Sequence, residues 1–588
     1  MIYKLSSFCT ILFLLAPGSL VSGQGQIKDC RNIRNGSVIY EHGYCDQPYV
    51  VVTKDGTWLC VFTTGAGHEG QSSQYIVSTT SKDKGKTWTP PVPIEPPTDR
   101  EASWAMPLIT PADRVYVFYD YNGDNIHTLN GRKIRADMIG WYSYKYSDDQ
   151  GVTWSRRYRL PVRVTDCDRR NDWQGKVQIL WGIGKPVRYE DSVYFAFTKL
   201  GKYMLDQGEG WFFRSDNILT ESNPERIQWQ MLPDGEFGLR AAPFGSVQEE
   251  QNLVTLANGD LYCMYRTTTG HPCHSYSRDG GHIWTQPVHA TYTPDGKKFK
   301  HPRACPRIWK TKNGNYLFWF HNHGGKTYNG RNPAWLCGGI ESNGFIHWSQ
   351  PEILLYDPEP KTRMSYPDLI EQDGEYWITE TQKSIARVHE IDSTLLQGLW
   401  KQVTNKTVTK KGLILSLTEK DLKQDKIKLP KLPPLHQGGG FTLDFQFRVK
   451  NLSKEQVLLD GRDTDGKGIL LSTTRIGTIQ CSLSDGKTIA VWDCDPGLIK
   501  VNHDHHVTII VDGGPKIISF VVDGVLCDGG SFRQFGWGRF TNTLSDVNGS
   551  RWAVINPSAQ GVLLNLRIYD RYLRTSEAIG NFRAYRMQ

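Results

Sequence analysis

Several acidic, basic and phenolic side chains lie at the ends of predicted β-strands, where they are available for chemistry. Tyr366 precedes the hairpin "DLIEQDGEYWITET", and Glu249 and Glu250 open the hairpin "EEQNLVTLANGDLYCMYR", which ends with Arg266. Cleavage of a glycosidic bond passes through an oxocarbenium-like transition state, which needs an anionic group beneath the sugar ring and an acid beside the departing oxygen. A tyrosine that a glutamate deprotonates avoids the repulsion between a carboxylate nucleophile and a negatively charged sugar. These residue types indicate glycoside chemistry if the fold brings the strand ends together.

A repeated eight-residue motif indicates the elements that must position these side chains. The copies "SKDKGKTW", "SDDQGVTW" and "SRDGGHIW" begin at Ser81, Ser147 and Ser277, and a degraded copy, "ESNGFIHW", begins at Glu341. Their starts fit multiples of a period of about 65 residues, and repetition at a fixed period is typical of β-propeller blades. The Asp and Gly form a tight turn between two strands, and the Trp packs between neighbouring sheets. We therefore expect these Asp residues to have a structural role only.

Hydrophobic hairpins fill the intervals between the motifs. Six of them, each a hydrophobic strand, a turn with Gly or Asp and a second strand, occupy residues 25–400. We therefore predict an all-β chain in which residues 24–400 form a six-bladed β-propeller. In residues 437–588, strands with period-two alternation indicate a second domain, a β-sandwich of jelly-roll type. This second domain either binds carbohydrate or serves as a packing module for the propeller.

The segment 401–436, between the two predicted domains, carries most of the positive charge. The formal net charge is +8, and this segment holds nine Lys against Glu419, Asp421 and Asp425. The rest of the chain is therefore nearly neutral, so we expect no nucleic-acid partner. A Lys- and Pro-rich segment of this kind is either a solvated linker or a patch that attracts acidic glycans or cell surfaces.

Residues 1–23 have the form of a secretory signal peptide, because one Lys is followed by an apolar run and then by small residues. The apolar run is too short to span a bilayer, so we predict a secreted protein that does not span a membrane. Sequons at Asn35, Asn405, Asn451 and Asn548 fit surface glycosylation of a secreted chain.

The cysteines agree with an oxidising compartment. Of the 12, Cys9 leaves with the predicted signal peptide. Two local disulfide bonds are plausible, Cys30 with Cys45 and Cys481 with Cys494. The chain has no Cys and His spacing typical of zinc, and we expect neither a metal nor an organic cofactor.

The Asp-box (BNR) repeats, the six-bladed propeller and the following laminin-G or concanavalin-like domain together resemble the sialidase (neuraminidase) superfamily. In that family three arginines grip the sugar carboxylate, an acid protonates the leaving group, and a tyrosine activated by a glutamate attacks the anomeric carbon. The resemblance implies that Tyr366 is the nucleophile and Glu249 its base, with Glu250 as the alternative. It also implies that Arg266 and Arg331 bind the carboxylate.

The first strand departs from the family's pattern of an arginine, an apolar residue and a proline. This chain has "DQP", so that Asp46 stands in place of the first arginine and Gln47 in place of the apolar residue. Asp46 would repel an anionic substrate unless it binds sugar hydroxyls, pairs with an arginine from elsewhere or has a catalytic role. The loop "TTGAGHEGQSS" offers Glu69 as the general acid, with His68 beside it. The predicted acid is therefore Glu69 or Asp46.

These residues predict a secreted exo-glycoside hydrolase of sialidase-like type that removes a terminal acidic or sulfated sugar, with sialic acid as the default. His301 and Arg303, in "KHPRACP", are further predicted substrate contacts, together with His68 and Gln47. One alternative is a polysaccharide lyase that uses Tyr366 or a histidine as its base while arginines neutralise a uronate. The other is a non-catalytic glycan-binding or matrix protein, which the loss of one arginine favours.

Overall fold

The computed structural model describes residues 29–586, except 72, 99, 453–454 and 557–560. The predicted signal peptide and Cys9 lie outside the described residues. Within the described part, most regular structure is β-strand, arranged as six antiparallel sheets before residue 392 and two larger sheets after residue 412. The prediction of an all-β chain is confirmed.

The first six sheets follow one another along the chain. Sheet 1 comprises Tyr44–Val52, Trp58–Gly65, Tyr75–Ser81 and Val92–Pro93. Sheet 2 comprises Ala102–Ile109, Val115–Tyr121, Trp141–Ser147 and Tyr158–Arg159. Sheet 3 comprises Leu180–Trp181, Val187–Tyr189, Ser192–Lys202, Asp206–Ser215 and Gln230–Leu232. Sheet 4 comprises Gln248–Thr255, Leu261–Thr267, Cys273–Ser277 and Val288–His289.

Sheet 5 comprises Arg307–Lys310, Tyr316–Phe320, Ala334–Ser342, Phe345–Trp348 and Glu352–Leu355. Sheet 6 comprises Ser365–Gln372, Glu375–Thr381 and Ala386–Ile391, and it takes its fourth strand, Ser37–Tyr40, from the start of the described chain. A short hairpin pairs Thr128–Leu129 with Arg132–Lys133. The α-helices of the described part are Asp166–Arg170, Ser393–Trp400 and Thr575–Tyr585, and single 3₁₀ turns are formed by Ile33–Asn35, Pro224–Arg226, Ala242–Phe244, Asp421–Lys423 and Leu435–Gln437.

Side-chain hydrogen bonds link neighbouring sheets at several places. The Thr63 hydroxyl accepts the N–H of Trp104 at 2.9 Å, and the Thr198 hydroxyl accepts the N–H of Glu250 at the same distance. Sheet 6 is linked to sheet 1 in the same manner, because Thr379 Oγ1 donates to the Pro48 carbonyl at 2.6 Å. The sixth sheet thus contacts the first, as a six-bladed propeller requires.

The repeated motifs form the turns that the sequence predicts. In the first copy the Ser81 hydroxyl donates to Asp83 at 2.8 Å and accepts the N–H of Gly85 at 2.9 Å, while Asp83 also accepts the N–H of Thr87 at 2.9 Å. The copies at Ser147 and Ser277 make the equivalent bonds. Each carboxylate is used by its own turn, as expected of a structural role.

The C-terminal region is a sandwich of two antiparallel sheets around its own hydrophobic core. Sheet 7 comprises Leu413–Leu417, Gly561–Tyr569, Phe441–Val449, Asp504–Asp512, Ile517–Val522, Val525–Leu526 and Gly538–Arg539. Sheet 8 comprises Lys426–Lys428, Trp552–Ile555, Val457–Asp460, Gly468–Thr473, Ile479–Ser484 and Ile489–Asp493. The segment 401–436, expected to be a linker, therefore supplies an outer strand to each sheet. Alternation explains this: Ile427 is buried in the core, whereas Lys426 and Lys428 on either side of it are exposed.

The sandwich packs against the first six sheets through an apolar cluster that includes Trp335 and Val521, and through polar contacts. Arg31 forms an ion pair with Asp512 at 2.7 Å, and Glu352 accepts the N–H of Ser576 at 2.8 Å. All eleven cysteines of the described chain are free thiols, so the structure does not contain the two expected disulfide bonds. Among the described residues, no helix has the length and apolar character needed to cross a bilayer.

Candidate active site

Four first strands share a backbone irregularity that redirects one side chain each. In sheets 1, 2, 4 and 6 the pairing register shifts after the first residues of the strand, and the residues at the bulges, Gln47, Trp104, Glu250 and Tyr366, have positive φ angles of 53°, 64°, 59° and 44°. A non-glycine residue in this region costs about 1–3 kcal/mol, and such residues cluster at functional sites. The four bulges occupy equivalent places in four sheets, so they mark one end of the sheet assembly.

The bulges bring Tyr366 and Glu250 into direct contact. The Tyr366 hydroxyl donates a 2.6 Å hydrogen bond to Glu250 Oε1, and both side chains are buried. Burial, followed by the charge of Glu250, raises the pKa of Tyr366 well above its usual value, so the phenol is neutral at physiological pH. The second oxygen of Glu250 has no hydrogen-bond partner among the described residues. The phenol therefore has an adjacent carboxylate to which its proton can pass.

This contact corrects the expectation that Glu249 would be the partner of Tyr366. Glu249 instead accepts hydrogen bonds from Arg266 at 2.7 and 2.9 Å and from Arg303 at 3.1 and 3.2 Å. The bulge between Glu249 and Asn252 breaks the alternation of the strand, and the positive φ of Glu250 turns that side chain towards Tyr366. Glu249 therefore holds two arginines in place, and Glu250 contacts the phenol.

Arg266 connects the two carboxylates. Its Nη1 lies 2.7 Å from Glu250, while its Nε and Nη2 bind Glu249. Each of its three nitrogens thus contacts one of these acids, and an arginine clamped in this way is fixed in orientation. Arg266 and Arg303, which the sequence predicts to bind the substrate, both pair with Glu249, and their contact with a substrate stays a prediction.

Arg331 is a buried cation of a different kind. It donates to the Ser365 hydroxyl at 2.6 Å and to the carbonyls of Tyr328 and Arg303 at 3.1 and 3.4 Å. Within the part of the chain that the structure describes, no carboxylate pairs with it. Burial, the largest influence, lowers the pKa of Arg331. A buried guanidinium without a counter-ion favours the binding of an anion.

Asp46 and Glu69 share one lysine, Lys383, which sequence reasoning missed. Lys383 Nζ forms an ion pair with Asp46 and lies 3.2 Å from Glu69, and it is also 4.3 Å from the centroid of the Tyr366 ring. Tyr44 donates a further hydrogen bond to Asp46 at 2.9 Å. Asp46 therefore has the basic partner that the sequence expectation required, and this partner is a lysine on the turn that follows the second strand of sheet 6.

The two acids differ in their proton affinity. Burial raises the pKa of Asp46, and the charge of Glu69 adds to this effect against the opposing charge of Lys383. Burial also opposes ionisation of Glu69, but Lys383 and then Arg135, which is 3.2 Å away, lower its pKa to about 2. Glu69 is thus ionised near neutral pH, whereas Asp46 is the acid that more readily keeps a proton.

Three other predicted contacts have different environments. Gln47 is buried and donates to the Gly182 carbonyl at 3.3 Å, and its amide oxygen has no partner among the described residues. His68 is exposed on its loop. His301 is buried with both ring nitrogens engaged, one by the N–H of His321 at 3.2 Å and one by the Ala304 carbonyl at 2.9 Å, and burial lowers its pKa to about 3. His301 therefore shapes the loop that carries Arg303.

Comparisons with known proteins give one family match in the C-terminal region and several similar solved structures. A laminin-G family model, described as the concanavalin A-like lectin/glucanases superfamily, matches residues 421–579. No curated protein sequence matches the chain.

Solved structures similar to the chain include a Trypanosoma rangeli sialidase in complex with 2,3-difluorosialic acid. It is 14% identical, with a TM-score of 0.43, over 92% of this chain and 94% of that chain. An intramolecular trans-sialidase from Ruminococcus gnavus, in complex with oseltamivir carboxylate, is 15% identical, with a TM-score of 0.44, over 61% and 98%. A leech intramolecular trans-sialidase is 14% identical, with a TM-score of 0.45, over 62% and 71%. The structural neighbours of this chain are sialidases, and its C-terminal region is concanavalin-like.

Proposed function

We propose that the protein is a glycoside hydrolase of sialidase-like type that removes a terminal acidic sugar through a covalent tyrosyl intermediate. The observation that carries the proposal is the 2.6 Å hydrogen bond from the Tyr366 hydroxyl to Glu250. A buried neutral phenol becomes a nucleophile only when a base accepts its proton as it attacks. Glu250 is the carboxylate in position to do so.

The proposed reaction has two steps that share the same groups. Tyr366 Oη attacks the anomeric carbon while its proton passes to Glu250, the glycosidic bond breaks, and the departing oxygen takes a proton from Asp46. Water then attacks the anomeric carbon and gives a proton to Asp46, while the tyrosyl bond breaks and Tyr366 recovers its proton from Glu250. We assign the acid to Asp46 because its carboxyl group is fully buried, which favours the protonated form, whereas Glu69 lies 3.2 Å from both Lys383 and Arg135, which favour its ionised form.

Arg331 is the proposed anchor for the acidic group of the sugar. It is buried and donates to Ser365, the neighbour of Tyr366, at 2.6 Å. Arg266 and Arg303 add positive charge, but their pairing with Glu249 leaves less of it for the substrate. Sialic acid is the first substrate to test, followed by uronates and sulfated sugars, because all of them present an anion to Arg331.

The test uses three variants on a panel of fluorogenic glycosides. Tyr366→Phe and Glu250→Gln should each lower kcat by at least about 10³-fold, because each removes a member of the proposed nucleophile pair. Glu249→Gln is the matched control, since it changes the neighbouring acid and should raise KM more than it lowers kcat. A covalent adduct on Tyr366, found by mass spectrometry with a slow fluorinated substrate, would identify the nucleophile. Unchanged turnover in Tyr366→Phe would exclude this mechanism.

Two other outcomes correspond to the alternative functions. A product that absorbs in the ultraviolet indicates a lyase, in which Tyr366 is the base rather than the nucleophile. Glycan binding without turnover indicates a non-catalytic protein, and the pairing of Asp46 with Lys383 at the place of an arginine is the feature that favours it.

Secretion is part of the proposal and rests on the signal-peptide pattern of residues 1–23. Expression of the full chain in a secretory host should release a protein that begins near Gln24. Retention of the chain in the cytosol with an intact first residue would contradict it.

A further inference from the structure

We propose that the outer face of sheet 8 in the sandwich is a second glycan-binding site, specific for anionic polysaccharide and separate from the Tyr366 site. Its centre is Trp552, whose side chain is 54% exposed. We call the surface formed by Trp552, Val554, Lys426, Lys428 and Arg462 the Trp552 face. This inference does not depend on the proposed catalytic function.

The strand pattern places these side chains on one surface. Trp552 pairs with Lys428 and Val554 pairs with Lys426 across neighbouring antiparallel strands. The alternate residues Ile427 and Ala553 point into the core, so the two lysines, Trp552 and Val554 point outwards together. Arg462 lines the same open depression from the next part of the sheet.

The indole of Trp552 is unused by the protein itself. Among the described residues no aromatic ring stacks on it and its indole Nε1–H makes no hydrogen bond, although the backbone N–H of Trp552 donates to the Ser550 hydroxyl at 3.1 Å. Tryptophan is enriched at interfaces because its ring is largely apolar while its N–H can bond a partner, so the half-exposed Trp552 beside Val554 is available to a ligand. One face of a pyranose ring is lined by C–H bonds, and a flat exposed indole is complementary to it.

The charge around the indole selects for an anionic sugar. Lys426 and Lys428 are exposed and form no ion pair within the described part of the chain, while Asp460, which lines the same depression, is paired with Arg462 at 2.7 Å. Two lysines two residues apart on a strand stand about 6.6–6.8 Å apart, which suits successive sulfate or carboxylate groups along a sugar chain. Seven further lysines of segment 401–436 extend the positive field. A polysaccharide that carries sulfates or carboxylates fits both properties of the surface.

The experiment measures binding of the full chain to immobilised heparin, a sulfated polysaccharide, with immobilised neutral dextran as the reference. At an ionic strength of about 0.15 M, Trp552→Ala should weaken heparin binding about tenfold, and Trp552→Phe should weaken it less. The double variant Lys426→Gln/Lys428→Gln should weaken binding and reduce its salt dependence. The matched control, Lys401→Gln/Lys406→Gln, removes the same charge from the same segment and should have a smaller effect.

Two results would overturn the proposal. Equal losses for both lysine pairs, with Trp552→Ala unchanged, would show that the positive charge acts diffusely and that the indole is not part of a site. Binding to phosphatidylserine vesicles but not to heparin would assign the surface to membranes instead. Turnover of a small glycoside, where present, should be the same in all of these variants, so failure here and failure of the proposed catalysis are distinguishable.

Discussion

Lys383 Nζ lies 4.3 Å from the centroid of the Tyr366 ring while it forms an ion pair with Asp46. One cation thus touches the proposed nucleophile and the proposed acid. Its charge opposes the effect of burial on Asp46, so Lys383 sets how strongly that carboxyl holds its proton. Asp46, expected from the sequence to need a basic partner, thus has one in Lys383.

Replacement of Lys383 should therefore change the pH dependence of the reaction. Lys383→Met removes the charge that lowers the pKa of Asp46, so this pKa should rise further. The proposed acid must be protonated to act, and activity is lost as the pH rises through its pKa. We expect the alkaline limb of the kcat/KM profile to move to higher pH in Lys383→Met, measured against the exposed-site control Lys326→Met. If the alkaline limb of the profile does not move, Lys383 does not control the pKa of the general acid.

Substrates whose leaving groups differ in their need for a proton test which residue is the general acid. Asp46→Asn should lower turnover of natural, poorly activated glycosides by about 10²–10⁴-fold, which is the usual contribution of a general acid. Turnover of 4-methylumbelliferyl glycosides should fall much less, because that leaving group departs without a proton. Glu69→Gln is the comparison, and we expect it to affect both substrates alike. If Glu69→Gln shows the leaving-group dependence and Asp46→Asn does not, the two roles must be exchanged.

The convergence of distant residues could be predicted from the sequence, but the identity of each contact could not. The octapeptide repeats and the hairpins predict the sheets, and the sheets bring Tyr366, Arg266 and Arg331 to one end of the assembly. Glu249 and Glu250 are adjacent, and period-two alternation alone cannot say which one faces Tyr366. The bulge and the positive φ of Glu250 decide it, and neither has a clear signature in "EEQN".

Two other features were missed for different reasons. Lys383 lies in a turn between two strands of sheet 6, and a single lysine in a turn carries no sequence signal of the acid that it pairs with. The strand Lys426–Lys428 has almost no hydrophobic pattern, because Ile427 is its one buried residue and a lysine lies on either side. The strand Leu413–Leu417 is apolar in sequence, but none of its side chains is fully buried and it lies at the edge of its sheet within a lysine-rich segment. Composition predicted a linker, whereas pairing with a neighbouring strand made it part of the sandwich.

Asp120 provides a test of stability that does not involve turnover. It is paired in register with Ser103, beside the bulge at Trp104, and within the described chain neither of its carboxyl oxygens has a hydrogen-bond partner. Burial, followed by the charge of Asp137, raises the pKa of Asp120 well above its usual value. A raised native pKa means that the free energy of unfolding falls as the pH increases above about 4, the value in the unfolded chain, and continues to fall up to the native pKa.

Asp120→Asn should remove this contribution. Urea denaturation of the wild type and the variant between pH 4 and 8 should show the difference in unfolding free energy moving in favour of the variant as the pH rises. Asp113→Asn, on an exposed turn of the same sheet, is the control for a general effect of charge. A constant difference across this pH range would mean that Asp120 keeps an ordinary pKa in the folded protein.

The sandwich also supports the segment that leads to Arg331. Trp537 Nε1 donates to the Asn322 carbonyl at 3.1 Å, and Arg539 Nη2 donates to the Asn332 carbonyl at 2.9 Å. These bonds hold both ends of the segment between residues 322 and 332, so the sandwich acts on Arg331 through its backbone. Without these two hydrogen bonds the segment would be less ordered in the free protein. Binding of an anion to Arg331 would then carry a larger entropic cost, because the segment would have to be ordered at the same time.

Arg539→Gln should therefore raise KM for an acidic glycoside several-fold while kcat changes little, because it loosens the anion anchor without touching the Tyr366 and Glu250 pair. Arg475→Gln, at an exposed arginine of the same sandwich, is the matched control and should leave KM unchanged. Neutral substrates, which do not need Arg331, should be affected equally little by both variants. An equal rise in KM for acidic and neutral substrates in Arg539→Gln would point to a general loss of structure rather than to the positioning of Arg331.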